Sequence, residues 1–428
     1  MTKRKTDRAP QPPVQPVPGP RPLPLLMAME TSTLLGSLAA LTSSSSGWPP
    51  LKPDQVRPEL AERASELQKA LANVPPDAFY KAATAEARKR LDAFTQGVRL
   101  YRLADRPPRP PEPDAVWAEG STRLLDYGAT PQPIVSKGPV VVLIPSPAHR
   151  SWLFDADGEY SLLRDLAAGG LRPLAVEWGM PEGAEVSQSL SDLIAGRLAR
   201  VLDAAVGLNG GPVALIGHGH GGLLALGLAH LRPHDVASMA FLATPWDFHA
   251  GREDLRDMAD MLPRFEDAIV QTGVLPVDMT RAMVAALAPR ATPARFRRYA
   301  DLIPSSRQAR RFVIAEDWRN DGLALPGPAA LEAVRDWYLL NSPARGDWIV
   351  GNEPLRPADL TCPVLVVIAD DDPAVPVASQ QALADALPAA EIRHLPGDET
   401  DIILGDGEKT PVSKLLADWF LARKAQPA

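Results

Sequence analysis

The chain has 428 residues, of which 45% are hydrophobic and 23% charged, so it can bury a sizeable core. Its net charge of −7 disfavours nucleic-acid binding through a basic face as the main role. The single cysteine, Cys362, excludes a disulfide within the chain and a zinc site of several cysteines. Such cysteine usage suits a reducing compartment, and we expect the protein to be cytoplasmic.

Residues 1–52 are predicted to form a disordered tail, rich in proline and serine, with one short apolar segment. The tail starts with basic residues and continues into prolines, which differs from a secretory signal. We expect residues 1–24 to be disordered because they contain almost no core-forming residues. The apolar segment, 23–41, contains Pro24 and Glu30, which argues against a transmembrane helix and for a short docked or interfacial helix.

Residues 53–114 are predicted to form an N-terminal helical region. Apolar residues recur at helical spacing over about 53–73 and about 77–104, and Asp77 can cap the second helix. Each helix has one apolar face, so each must dock on another surface. Packing against the main domain is the simpler interpretation, and an interface with a partner is the alternative.

From residue 115 onward, short apolar strands alternate with helices, which indicates a parallel sheet that is covered on both faces. The predicted strands are 139–145, 173–178, 212–216, 236–244, 363–368 and 391–395. The predicted helices are 160–169, 187–206, 221–231, 378–387 and 411–422. Residues 246–350 break the alternation and are mainly helical, so they are predicted to be a cap inserted between two core segments, 115–245 and 351–428.

The predicted fold class is therefore α/β. It consists of a doubly wound, mostly parallel sheet with an inserted helical cap and an N-terminal helical extension. A core of this kind that is split by a helical insertion is the plan of the α/β-hydrolase fold, in which the strand over 212–216 should be central.

The strand–turn–helix sequence over 212–222, PVALIGHGHGG, is the most informative segment. In α/β-hydrolases this place carries G-x-S-x-G, with the nucleophile on a sharp turn. Gly217 and Gly221 match the outer glycines, and the nucleophile position is Gly219, which has no side chain to attack with. The string also fits G-x-G-x-x-G, but several strands precede it and no acid ends the next strand. A nicotinamide or flavin site is therefore disfavoured, and no cofactor is expected.

Several further segments look, in order, like motifs of the polyhydroxyalkanoate synthases, α/β-hydrolase-fold acyltransferases that polymerise hydroxyacyl-CoA. The segments are LIPSPAHRSWLFD at 143–155, EWG at 177–179, LATPWDFH at 242–249 and EDWRND at 316–321. The resemblance covers the chain from about residue 115 to the C terminus. It implies a cysteine nucleophile, a histidine that activates it and an aspartate that orients the histidine.

Two of these three groups are absent. The nucleophile position falls on Gly219, and the histidine position, in a G-H segment after the next strand, falls on Asp398. Asp372 matches the aspartate of a D-x-x-V-P pattern, although Asp370 and Asp371 stand beside it. We expect Gly219, Asp372 and Asp398 to lie close together, with a raised pKa for one of the crowded carboxyl groups.

A substrate and oxyanion pocket is predicted around the vacant nucleophile position. His220, the residue after it, keeps a backbone N–H donor, and Ser146 lies near the place of a second donor. The other predicted lining residues are His149, His218 and Trp246. A metal site built from the histidines at 149, 218, 220 and 249 is an alternative, but their spacing matches no known ligand pattern, so no metal is predicted. Cys362 begins a core strand and is interpreted as a small apolar filler.

These features favour a non-catalytic homologue of the synthases. It could be a scaffold, a partner of an active synthase or of the polymer granule surface, or a binder of an acyl ligand under the cap, with no nucleic-acid partner and no transmembrane segment. The alternative is an active acyltransferase or hydrolase on hydroxyacyl-CoA or ester substrates, with displaced catalytic groups such as His218 or His220. Release of free CoA from 3-hydroxybutyryl-CoA would discriminate between them.

Overall fold

The structure is a computed structural model, and its described residues fall into two compact units. The first lies within 1–105 and 292–302, and the second within 106–291 and 303–428. The described residues are 19–42, 62, 65, 66, 69, 70, 74–106, 108–129, 138–252, 255–387, 389–405 and 411–424. Most of the predicted helix over 53–73 lies outside them.

The first unit contains an N-terminal helix, Leu23–Thr42, and a long helix, Pro76–Leu103. The predicted disorder over 1–24 is not found for residues 19–24, which lead into the N-terminal helix; the rest of that prediction lies outside the described residues. No helix in the described part of the chain is long and apolar enough to cross a membrane.

Aromatic contacts hold the long helix within its unit. Phe94 and Tyr101 lie two turns apart on one face and contact the ring of Phe296 edge-on, with centroids 6.0 and 5.5 Å away. Arg297 donates to the carboxylate of Glu30 on the N-terminal helix at 2.9 Å. The predicted apolar face of the helix over 77–104 is thus buried inside the first unit.

The second unit is built on one eight-stranded sheet. In chain order the strands are β1 (Ala115–Glu119), β2 (Thr122–Asp126), β3 (Val140–Ile144), β4 (Arg172–Glu177), β5 (Val213–His218), β6 (Val236–Leu242), β7 (Val364–Ala369) and β8 (Glu391–Leu395). Their order across the sheet is β1-β2-β4-β3-β5-β6-β7-β8. The β1–β2 and β2–β4 pairs are antiparallel and all others are parallel. The doubly wound, mostly parallel sheet with β5 in its interior is therefore confirmed.

Both faces of the central strands are buried, as their continuous apolar sequences predict. In β3, Val140, Val142 and Ile144 pack into one hydrophobic cluster, whereas Val141 and Leu143 pack into another on the opposite face. Helices and shorter helical turns cover the two clusters: Leu162–Ala168, Asp192–Leu198, Ala199–Asn209, His220–Leu231, Val377–Asp385, Asp401–Leu404 and Pro411–Lys424.

The segment between β6 and β7 is mainly helical, as expected of an insertion. Its helices are Arg256–Thr272, Val277–Leu287, Ala291–Ala300, Arg307–Asn320, Gly327–Glu332, Ala333–Leu339 and Ser342–Arg345. Two short strand pairs join Val274–Leu275 to Leu325–Pro326 and Ile349–Val350 to Glu353–Pro354. Residues Thr292–Leu302 of this helical segment belong to the first compact unit. The domain boundaries at 246 and 350 stay predictions.

Candidate functional site

The turn between β5 and the following helix, His220–Leu231, keeps the sharp shape of a nucleophile elbow. Gly219 has φ 54° and ψ −130°, a backbone conformation that strains any residue with a side chain. At Gly221 a Cβ would lie 2.2 Å from the carbonyl oxygen of Ile144, so the helix starts in direct contact with the end of β3. The chain therefore retains the elbow geometry without the nucleophile.

Asp372 is the buried aspartate of the three that follow β7. Its Oδ1 accepts hydrogen bonds from the backbone N–H groups of Ala374 and Val375, at 2.8 and 2.9 Å. Its Oδ2 accepts one from the N–H of Glu399 at 3.1 Å. Burial first, and then the carboxylates of Glu399 and Asp398, raise the pKa of Asp372 to about 7 against the effect of these hydrogen bonds. The neighbouring residues 370 and 371 are exposed.

The carboxylate next to the Cβ position of Gly219 belongs to Glu399, and the assignment of the histidine position to Asp398 stays a prediction. A Cβ built on Gly219 would lie 3.8 Å from Oε2 of Glu399. Asp398 instead accepts hydrogen bonds from the N–H groups of Thr400 and Asp401, at 2.9 and 3.1 Å. The carboxylate of Asp401 accepts from the N–H of Asp398 in return, at 3.1 Å.

This reciprocal pattern joins Asp398 and Asp401 at the start of the short helix Asp401–Leu404, whose N-cap residue is Thr400. It holds the carboxylate of Asp398 against the backbone amides of this turn. The adjacent side chain, Glu399, is the one that reaches the elbow. The sequence signal for this arrangement is an aspartate that stands three residues before a second acidic residue at the start of a helix.

Arg319, from the predicted EDWRND segment, supplies the counter-charge beside this loop. Its guanidinium donates to Asp398 at 2.6 Å, to Glu316 at 2.9 Å and to the hydroxyl of Thr400 at 2.8 Å. Its side chain is only 6% exposed. The acidic neighbours raise the pKa of Arg319 against the effect of burial, so it stays charged.

Two histidines flank the vacant position, and both are held as neutral rings. His218 is fully buried, with its Nε2 3.2 Å from the backbone oxygen of Glu399, and burial lowers its pKa to about 4. The Nε2 of His220 lies 2.8 Å from the hydroxyl of Tyr338, and burial lowers the pKa of His220 to about 4 as well. The ring of His220 also stacks over Trp337, with centroids 5.8 Å apart.

The other predicted histidines lie on different elements. His149 stacks on Trp318 with ring centroids 4.2 Å apart, and burial followed by the charge of Arg281 lowers its pKa well below the usual value. His249 is exposed, and its Nε2 lies 2.9 Å from the carbonyl oxygen of Tyr338. Among the described residues, no group of three or more His, Cys, Asp or Glu side chains could hold a metal ion.

The remaining predicted residues, Ser146, Trp246 and Cys362, lie in three different parts of the fold. Ser146 is buried just after β3, where its carbonyl accepts from the N–H of His149 at 3.0 Å. Trp246 is buried in the hydrophobic core, and its backbone N–H donates to the carbonyl of Ser379 at 3.2 Å. Burial raises the pKa of Cys362 to about 11, which fits the interpretation of this thiol as an inert filler.

The sequence analysis did not single out four residues at this site: Glu399, Arg319, Tyr338 and Arg252. The guanidinium of Arg252 donates to the carbonyl of Ala374, two residues after Asp372. These side chains come from segments far apart in the chain, and only Arg319 stood in a quoted motif.

Comparisons with known proteins place the chain in a family. Residues 141–403 match the model of a family described as the Alpha/beta hydrolase family. The chain is similar to the poly(3-hydroxyalkanoate) polymerase subunit PhaC of Allochromatium vinosum, with 25% identity over 314 residues that cover 72% of this chain and 88% of the relative. The subunit of the same name from Thiocystis violacea is 24% identical over 318 residues, with the same two coverages. Among solved structures, an alpha/beta hydrolase fold protein from Nakamurella multipartita matches with a TM-score of 0.45 and 18% identity, covering 73% of this chain and 99% of the other.

Proposed function

We propose that this chain, which belongs to the alpha/beta hydrolase family, is a non-polymerising homologue of the polyhydroxyalkanoate polymerases that binds an acyl ligand at its elbow. The observation that carries the proposal is Gly219. It occupies the strained turn at which the resemblance places the acyl-accepting cysteine, and it has no atom to form a thioester. The cytoplasmic location expected from the sequence is part of the same proposal.

Among the described residues, neither the cysteine nor the two histidines beside Gly219 replace the missing chemistry of covalent acyl transfer. The thiol of Cys362, the one cysteine of the chain, has its pKa raised to about 11, so little thiolate forms at neutral pH. The sequence left open a role for His218 or His220 as a base. Burial lowers the pKa of both rings to about 4, and their Nε2 atoms are engaged with the backbone oxygen of Glu399 and the hydroxyl of Tyr338.

The amide of His220 and the nearby Ser146 are the groups that would bind an acyl carbonyl. The N–H of His220 belongs to the first turn of its helix, whose amides have no carbonyl partner within the helix. The tight contact of Gly221 with Ile144 brings Ser146 to the same end of the sheet. A carbonyl oxygen bound here would be stabilised by the amide and by the positive end of the helix dipole.

We predict that the protein forms no polymer from 3-hydroxybutyryl-CoA. The measurement is light scattering for polymer together with intact-protein mass after acid quenching, with a polymerase that has its cysteine as the positive control. We expect an unchanged protein mass because Gly219 cannot carry the acyl group. Polymer, or an acyl adduct on the unmodified chain, would overturn the proposed function.

We further propose that the protein associates with the polymer granule surface through its N-terminal helix. This 20-residue helix has one charged residue, Glu30, and exposes Leu25 by 38% and Leu35 by 58%. Exposed leucines on a helix with one charge fit a polyester surface better than the solvated surface of an active synthase.

Replacing Leu35 by glutamate should therefore weaken binding to purified polyhydroxybutyrate granules by roughly tenfold, the value of one buried leucine side chain. Cosedimentation of the full chain with granules measures this. Val270→Glu, at a site 86% exposed on another helix, is the matched control and should bind like the unmodified protein. Equal binding by both variants, or binding only when an active synthase coats the granules, would contradict the proposal.

A further inference from the structure

The absence of a side chain at residue 219 leaves a space beside a carboxylate. Apart from the adjacent residues, the heavy atom within 4 Å of a Cβ built on Gly219 is Oε2 of Glu399, at 3.8 Å. Glu399 therefore borders the position that the side chain of a nucleophile would occupy.

Glu399 is held in place from both sides of the elbow. Its backbone N–H donates to Oδ2 of Asp372 at 3.1 Å, and its backbone oxygen lies 3.2 Å from Nε2 of His218. The residue as a whole is partly exposed. These contacts fix the main chain of Glu399 with its carboxylate at the elbow. Because Asp372 acts through the backbone of Glu399, it is a positioning residue.

The amide of His220 lies beside the same position, because His220 follows Gly219 as the first residue of its helix. In the fold, the residue after the nucleophile donates this N–H to the oxyanion. A thioester whose carbonyl oxygen accepts from His220 would present its carbonyl carbon toward the space at Gly219. Water in that space would then stand between the carbon it attacks and a carboxylate that can take its proton.

We propose that Glu399 is the general base of a water-dependent hydrolysis of acyl thioesters at this elbow. The oxygen of water bonds to the carbonyl carbon while one water proton passes to the Glu399 carboxylate, and the carbonyl oxygen takes the negative charge at the His220 amide. Collapse of this intermediate breaks the carbon–sulfur bond, and the proton moves from Glu399 to the departing CoA thiolate. The products are the free acid and CoA, and no acyl group is ever bonded to the protein.

This inference rests on the proposed function only in that both require an acyl group at the elbow. The test follows release of free CoA from 3-hydroxybutyryl-CoA by the full chain, with the quenched protein mass recorded in parallel. We expect CoA release with an unchanged protein mass. Glu399→Gln should lower kcat by about 10²–10⁴-fold with little change in KM, because general base catalysis contributes about that much.

Two further variants keep the test decisive. Gly219→Ala places a methyl group beside Oε2 of Glu399, and when this variant unfolds at the midpoint of the unmodified protein it should also show a kcat lowered by at least about tenfold. Glu353→Gln changes an exposed glutamate on another element and should leave the rate unchanged. CoA release no faster than with heat-denatured protein, or an unchanged rate in folded Glu399→Gln, would overturn this inference alone. An acyl adduct or polymer would overturn the proposed function instead.

Discussion

Replacement of Arg319 by methionine is expected to destabilise the second unit by about 3–5 kcal/mol, the usual cost of removing one partner from a buried ion pair. Arg319 is 6% exposed and donates to Asp398 and Glu316, whose side chains are 13% and 1% exposed. Methionine has a similar length and keeps most of the packing. The loss would therefore come from the two carboxylates, which would lose this cation while remaining away from water.

Chemical denaturation, followed by tryptophan fluorescence, measures this loss as a shift of the unfolding midpoint. The matched control is Arg307→Met on the same helix, where the guanidinium is 67% exposed and pairs with Glu159 at 3.1 Å. Exposed pairs contribute about 0–1 kcal/mol, so the control should unfold near the unmodified midpoint. Equal midpoints for the two variants would show that the loop around Asp398 does not depend on Arg319.

The buried carboxyl of Asp372 is expected to make the protein less stable as the pH rises. Its pKa is about 7 in the folded chain against a usual value of 3.8, so the folded state holds the proton more tightly than the unfolded state. This contribution is complete below a pH of about 4 and is lost as the pH rises through about 7. Between about pH 5 and pH 8, this group should lower the free energy of unfolding by about 2–3 kcal/mol.

The variant Asp372→Asn has no proton to lose. The free energy of unfolding of this variant, minus that of the unmodified protein, should therefore rise by about 2–3 kcal/mol over the same pH interval. Urea titrations at several pH values measure the difference. Asp371→Asn is the control, because residue 371 is exposed and accepts one hydrogen bond from the N–H of Gly397 at 3.0 Å. A flat difference for Asp372→Asn would mean that its carboxyl is ionised in the folded protein throughout this range.

The sheet was predictable where burial acts on both faces of a strand. Strands β3, β5 and β7 have continuous apolar sequences because each face packs into a separate cluster, and their predicted positions agree with the structure to within about two residues. The hairpin of β1 and β2 was not predicted. β1 lies at the sheet edge and is half exposed, so its sequence, AVWAE, carries no continuous apolar signal.

The vacancy at Gly219 and the position of Asp372 were readable from the chain because each depends on local geometry. The elbow is a turn between a strand and the next helix, and the D-x-x-V-P segment closes a turn whose carboxylate binds backbone amides two and three residues later. Neighbouring residues specify such turns, and the fold places both turns at the carboxyl ends of parallel strands.

The identity of the carboxylate at the elbow was decided only by the tertiary structure. Asp398 and Glu399 are adjacent and chemically alike, so their sequence could not tell which one would face Gly219. The backbone amide of Asp401 and the guanidinium of Arg319, which comes from a helix 79 residues earlier, bind the carboxylate of Asp398. A side chain follows its strongest available partners, and those partners are brought together only when distant segments pack.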